Sequence, residues 1–282
     1  MTTETLTPSD YTLGTNPAER ARLQGQADDL AAHTLALLDH VDLPVGGRAL
    51  ELGCGPAGSI AVLADRVGPS GSVTAVDIDP AHVALARQLV ADRGLGHVEV
   101  LQGDARATTL PSGSFDVVHA RLLLVNIPRP DQVVAEMVRL VKPGGWVLVD
   151  EADGGARVCY PPLEAFDQLV AVFQAAYRSD GADLLIGRKL TAMLGRTGLV
   201  DVGADGRADV YPAGHPRRTI LPDLVRSMHD KVIERGIVSQ DDLAGLDRQV
   251  REHLAHPDTL VMSCLYFLAW GRKPAEGCGC HG

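Results

Sequence analysis

The chain lacks any uninterrupted apolar run of about 18 residues, the length a bilayer-crossing helix needs. Residues 1–10 are polar and acidic, where a secretory leader would be basic and then apolar. Both absences predict a cytoplasmic protein without a membrane partner. No cluster of Lys or Arg could follow a phosphate backbone, and the formal charge is -10, from 36 acidic and 26 basic residues, so nucleic acid is not an expected partner. The five cysteines, Cys54, Cys159, Cys264, Cys278 and Cys280, are odd in number and irregular in spacing, unlike a secreted disulfide framework. Reduced thiols are expected. The sequence has no HExxH, no CxxC pair and no Ser-His-Asp context, hence no compact catalytic constellation. No metal is predicted either. The Cys-Gly-Cys-His cluster at 278–281 falls short of the four fold-held ligands zinc usually takes, and its alternating glycines predict a mobile, dispensable tail over 275–282.

What is present is ordinary globular composition, 45% hydrophobic and 22% charged over 282 residues, enough to bury a sizeable core. Apolar residues at spacings of three and four predict a helix over 24–41. From residue 48 a repeating unit begins. Strands are predicted at 48–52, 72–77, 97–102, 115–120 and 145–150, with helices at 59–66, 80–92 and 131–141 between them. Such alternation implies a parallel, doubly wound α/β sheet. Beyond residue 151 the spacing predicts helices at 163–177 and 189–197. A strand-like segment follows at 199–211, interrupted by a bulge at Gly203 and Gly206. Two more helical stretches, 222–235 and 241–256, then precede a β-rich run at 262–270.

The chemistry is concentrated where the first strand ends. Gly53, Gly55 and Gly58 have GxGxxG spacing between a strand and a helix, the context in which glycines let the backbone approach a nucleotide and the helix offers free N–H groups. Asp77 ends the next strand, 19 residues after Gly58, where an acid can bind ribose hydroxyls. These two features alone fit a dinucleotide enzyme equally well. Asp79 reads as a helix-capping acid before Pro80, Asp116 as a structural partner for a backbone turn, and His119, inside an apolar strand, as a core histidine.

Four blocks separate the alternatives: ALELGCGPAG at 49–58, VTAVDIDP at 73–80, GDARATTLPSGSFDVVHAR at 103–121 and VKPGGWVLVDE at 141–151. In order, spacing and type, the chain resembles the class I S-adenosylmethionine (SAM)-dependent methyltransferases, particularly the ubiquinone/menaquinone-type small-molecule branch. That resemblance implies a Rossmann-like seven-stranded methyltransferase sheet whose last strand is antiparallel, with YFLAWGRKP at 266–274 as that strand. It implies SAM as cofactor and S-adenosylhomocysteine as product, with Glu51, Gly53, Cys54, Gly55, Asp77, Ile78, Asp104, Ala105, Ala120, Arg121 and Gln26 as cofactor contacts. Asp77 would hold the ribose and Asp104 the adenine amino group. A histidine common in related enzymes is replaced here by Asn126.

The expected division is an N-terminal helical lid at 1–46, a methyltransferase domain at 47–274 with a helical insertion at about 217–257, and the tail. The expected reaction is methyl transfer to a small, mostly apolar, quinone-like or secondary-metabolite acceptor. Tyr11, Arg22, Asn126, Tyr177 and Tyr211 are candidate acceptor contacts, and Tyr11 and His119 are the side chains to consider for catalysis beyond simple proximity. A homodimer is left open. The alternatives are a SAM-binding enzyme that does not methylate (cyclase-like), a regulator, and, further off, an NAD(P)-dependent oxidoreductase.

Overall fold

Alternate residues of each central strand point to opposite faces of a sheet, and here both faces are apolar, as a sheet covered by helices on each side requires. The computed structural model describes residues 23, 25–27 and 29–275. In it β1 (Arg48–Leu52), β2 (Ser72–Asp77), β3 (Val98–Gln102), β4 (Phe115–Arg121) and β5 (Val141–Asp153) form parallel pairs in the order β3-β2-β1-β4-β5. β10 (Leu265–Arg272) runs antiparallel to β5 on one side and to β7 (Val200–Arg207) on the other, completing seven strands. On one face Ala49, Val117 and Leu148 pack with Leu37 of α1 (Ala31–Leu38) and Leu63 of α2 (Ile60–Val67). On the other, Leu50, Val118 and Val147 meet Met137 of α4 (Pro130–Leu140) and Leu190 of α6 (Leu190–Gly195). The remaining early helix, α3 (Pro80–Asp92), starts as its sequence suggests, with Pro80 in its first turn and the Asp79 side chain accepting from the Ala81 amide at 2.8 Å.

Strand order reverses between β1 and β4, so their carboxyl ends frame the crevice in which open α/β sheets bind ligands. A second, three-stranded sheet, whose Tyr211 lines the cavity described below, is made by β6 (Val158–Tyr160), β9 (Leu260–Met262) and β8 (Val210–Tyr211) in the order β6-β9-β8. The sequence does not announce it, because strands of two or three residues are too short to display a period. The single strand-like stretch expected over 199–211 is therefore two strands in two sheets. Its bulge is real, but lies next to Gly203: the register shifts opposite Trp270 and Arg272, and Asp201 takes a positive φ of 51°. Gly203 has a different reason, since a Cβ there would lie 2.5 Å from the Trp270 ring. Gly206 pairs in regular register with Phe267.

The inserted segment consists of a 3-10 turn at Pro216–Thr219 and helices α7 (Ile220–Ser227), α8 (His229–Glu234) and α9 (Gln240–Ala255), so the helix expected over 222–235 is broken at Met228. It packs on α5 (Glu164–Ser179) through Leu224, Val232 and Val250. One buried side chain joins it to the small sheet: Arg218 donates to the carbonyls of Tyr211, Leu254, His256 and Thr259 at 2.8–3.0 Å. No helix among the described residues is long and apolar enough to cross a membrane. Cys54, Cys159 and Cys264 are buried free thiols.

Candidate active site

The turn after β1 needs backbone angles that side-chain-bearing residues avoid: Gly53, Gly55 and Gly58 have φ of 70°, 55° and 48°. At Gly58 there is no room for more, because a Cβ would lie 2.5 Å from the Cys54 carbonyl and 2.7 Å from Glu51 Oε1. Glu51 braces the loop from below, its Oε1 accepting from the Ser59 amide at 2.8 Å just before α2 begins. Gly55 is the opposite case, with open space around its missing Cβ, and its N–H donates to Asp77 Oδ2 at 2.7 Å. Asp77 Oδ1 accepts from the Asp79 amide at 2.9 Å and lies 3.4 Å from His82 Nδ1. Loop and acid thus form one rigid unit at the ends of β1 and β2.

A continuous cavity opens from this unit toward the insertion. Gly53, Cys54, Gly55, Asp77, Ile78 and His82 line one end, and burial pushes the Cys54 thiol well above its usual range. Arg121 stands at the junction, donating to the Gly58 carbonyl at 2.7 Å and to Thr34 Oγ1 at 3.2 Å. The far end is walled by Asn126, Arg157, Phe173, Tyr177, Tyr211 and Tyr266. Tyr177 donates to Asn126 Oδ1 at 3.0 Å and Asn126 to the Leu122 carbonyl at 2.7 Å, fixing the turn that follows β4. Burial raises the Tyr266 phenol well above its ordinary range. The roof is completed by Gln26 and by Arg217, Ile220 and Leu224 of the insertion.

Of the residues expected at a cofactor site, the structure brings Gly53, Cys54, Gly55, Asp77, Ile78, Arg121 and Gln26 to one cavity. Glu51 and Ala120 lie fully buried behind its wall. Asp104 and Ala105 are not among the lining residues. The Asp104 carboxylate is taken by Arg106 Nη2 at 2.8 Å; burial pushes its pKa up, but the hydrogen bonds from Arg106 outweigh that and leave it lowered. Ala105 packs against the main core. Asn126, Tyr177 and Tyr211 line the far end, whereas Tyr11, Arg22 and the 278–281 cluster fall outside the described residues. His119 is wholly buried with Nδ1 3.6 Å from Glu51 Oε2, and neither ring nitrogen has a hydrogen-bond partner. It is a core histidine, though not the hydrogen-bonded one its strand position suggested. Asp116 is structural, accepting from the Arg48 amide at 2.9 Å and pairing with Lys142. His82, Arg157, Phe173 and Tyr266 were not legible as site residues: Tyr266 opens the last-strand segment without any sign of a site role, the other three sit in no motif, and only the fold brings the four together.

Beneath the cavity lie two buried acids. Glu151 accepts from the amides of Leu124 at 2.6 Å and Val125 at 3.3 Å, and burial raises its pKa to about 8 against that hydrogen bonding. Burial likewise raises Asp150 to about 6, opposed by Arg121 and His119. Both folded-state values exceed the ordinary ones of 4.5 and 3.8, so their contribution to stability is complete below those values and lost as pH rises through about 6 and about 8. The protein should therefore lose stability from about pH 4 upward, Asp150's share by about pH 6 and Glu151's by about pH 8, by at most about 1.4 kcal/mol per pH unit for each group. Urea titrations across that range should give a shallower slope for Glu151→Gln, and identical slopes would place the effect elsewhere.

Residues 50–149 match the family model described as "Methyltransferase domain". Among curated proteins, a nocamycin O-methyltransferase of Saccharothrix syringae is 40% identical over 109 residues, covering 39% of this chain and 39% of its own length. A demethylmenaquinone methyltransferase of Geobacillus kaustophilus is 35% identical over 133 residues, covering 47% of this chain and 54% of its own length. The chain spans about half or less of the length of the curated relatives it matches. Among solved structures, a Haemonchus contortus phosphoethanolamine N-methyltransferase bound to S-adenosylhomocysteine has the same fold at a TM-score of 0.55, with 22% identity over 86% of this chain and 52% of that one.

Proposed function

We propose that this chain, which carries a class I methyltransferase domain on a Rossmann-like sheet, transfers a methyl group from SAM to a small, mostly apolar molecule. The observation that carries the reading is the continuous cavity joining the glycine-loop unit to an aromatic far end. The residues present suit the cofactor: Gly55 leaves open space where a side chain would stand, and Asp77 Oδ2, holding one backbone amide, keeps a second acceptor direction for a ribose hydroxyl. SAM supplies a methyl group already activated on a sulfonium. The protein's work is then to hold the acceptor in line and keep water out, which the tyrosines, Phe173 and the roof of the insertion are placed to do. No residue is assigned as a base. Asp104 and Ala105 belong to this reading only if the Arg106 pair yields to the adenine.

The N-terminal segment and the insertion act as a lid in this reading, supported by Gln26, Ile220 and Leu224 in the roof. The branch that methylates quinone-like acceptors, a cytoplasmic location and a non-nucleic-acid acceptor are parts of the same proposal. No observation at the site favours the nicotinamide or non-methylating alternatives. Asp77→Ala should weaken SAM by about 1.5–3 kcal/mol, the scale of a lost charge-assisted hydrogen bond. Titration calorimetry giving wild-type affinity for that variant would remove Asp77 from the cofactor site.

A further inference from the structure

We infer that the acceptor carries an acidic oxygen group, ionised at neutral pH, on a flat apolar body, and that Arg157 is the residue that selects it. The inference deepens the methyltransferase reading and rests on it for the identification of the far end as the acceptor side.

Arg157 lies between β5 and β6 and lines the cavity beside Phe173, its guanidinium 5.8 Å from that ring's centroid. Its Nε is buried without a hydrogen-bond partner, and no ion pair to any described residue satisfies the charge. Arg157 as a whole is half-buried, but its buried Nε left unmade costs free energy, although a chain with ten more acids than basic residues had carboxylates to spare for it. Asp153, four residues before Arg157 in sequence, is instead engaged by Arg188. The other cavity arginines are also occupied: Arg121 holds the Gly58 carbonyl, and Arg217 holds Asp29 with its Nε at 2.6 Å. Among the described lining residues the single carboxylate is Asp77, at the cofactor end and bound to two backbone amides. Among the described lining residues the far end therefore presents a positive charge, phenols and aromatic faces, and no counter-charge. Phe173 and Tyr177, edge to face at 5.0 Å, offer a surface for a flat apolar group next to that charge. An acceptor that enters as an anion brings the missing partner, and needs no base from the described lining residues, which include no carboxylate or imidazole there.

The test uses the full chain saturated with S-adenosylhomocysteine, titrated calorimetrically at neutral pH with naphthoate and with naphthamide, probes of equal shape and different charge. Wild type should bind naphthoate at least about tenfold more tightly, the scale of a charge-assisted hydrogen bond. Arg157→Met should bring the two affinities within about twofold while S-adenosylhomocysteine affinity stays at wild type and the melting temperature does not fall. Equal affinities in wild type, no binding of naphthoate, or a preference that survives in Arg157→Met would each overturn the inference. If S-adenosylhomocysteine itself does not bind, the cofactor reading falls, and the same two probes on cofactor-free protein still decide the role of Arg157.

Discussion

Arg218→Met should destabilise the protein by about 3–5 kcal/mol, the range for removing one partner of a buried, hydrogen-bonded charge. The guanidinium is buried and donates to four main-chain carbonyls. Two of them, Leu254 and His256, belong to the C-terminal end of α9, whose last carbonyls have no partner within the helix. Tyr211 ends β8 of the small sheet, and Thr259 immediately precedes its β9. Methionine fills most of the volume but donates to none of the four oxygens, and though the His256 carbonyl keeps the Thr259 amide, the unmet demand of the others, more than lost packing, sets the size of the effect. Urea unfolding should show the loss, while Arg248→Met, at an exposed position of the same helix, should stay within about 0.5 kcal/mol of wild type. A change below about 1 kcal/mol at Arg218 would mean that those carbonyls find water when the side chain is removed.

The contrast between Arg218 and the glycine loop also explains which parts of this protein could be read from its sequence. β1, β2 and α3 begin and end where periodicity, turn residues and the Asp79-Pro80 cap place them, because each is long enough to carry its own signal. The glycine unit is equally local: three positive-φ residues, a bracing acid and an acid on the adjacent strand all lie within 27 residues, from Glu51 to Asp77. The far end of the cavity has no such local grammar. Arg157, Tyr177, Tyr211 and Tyr266 come from four separate elements or their connections, and Arg157 was invisible because a lone arginine in a Gly-Gly-Ala-Arg turn is normally a solvated one. Asp104 is not among the lining residues, and its carboxylate is held in a ring of hydrogen bonds by Arg106, two residues on.

Gly55→Val should abolish cofactor binding in a protein that remains folded. Two quantities separate these outcomes. The first is the cost of the substitution to the fold. Gly55 has φ of 55°, which a β-branched residue adopts at a penalty of roughly 1–2 kcal/mol, but nothing lies within 4 Å of the position a Cβ would take. That cost is small beside the total stability of about 5–15 kcal/mol typical of a domain. Gly58 differs, because its Cβ would meet the Cys54 carbonyl at 2.5 Å and Glu51 Oε1 at 2.7 Å, so a substitution there breaks the loop itself. The second quantity is the space lost to the ligand. The open side of Gly55 faces the cavity, and valine puts two methyl groups where the loop backbone would approach the cofactor. At a hundred times its dissociation constant, S-adenosylhomocysteine should stabilise wild type by about 2.7 kcal/mol. Gly55→Val should unfold at nearly the wild-type temperature without ligand and show no rise with it. A ligand-induced rise of wild-type size in that variant would mean that the cofactor does not lie against this loop, whereas a collapsed circular dichroism spectrum would mean that the strain at Gly55 exceeds what its φ and its empty surroundings imply.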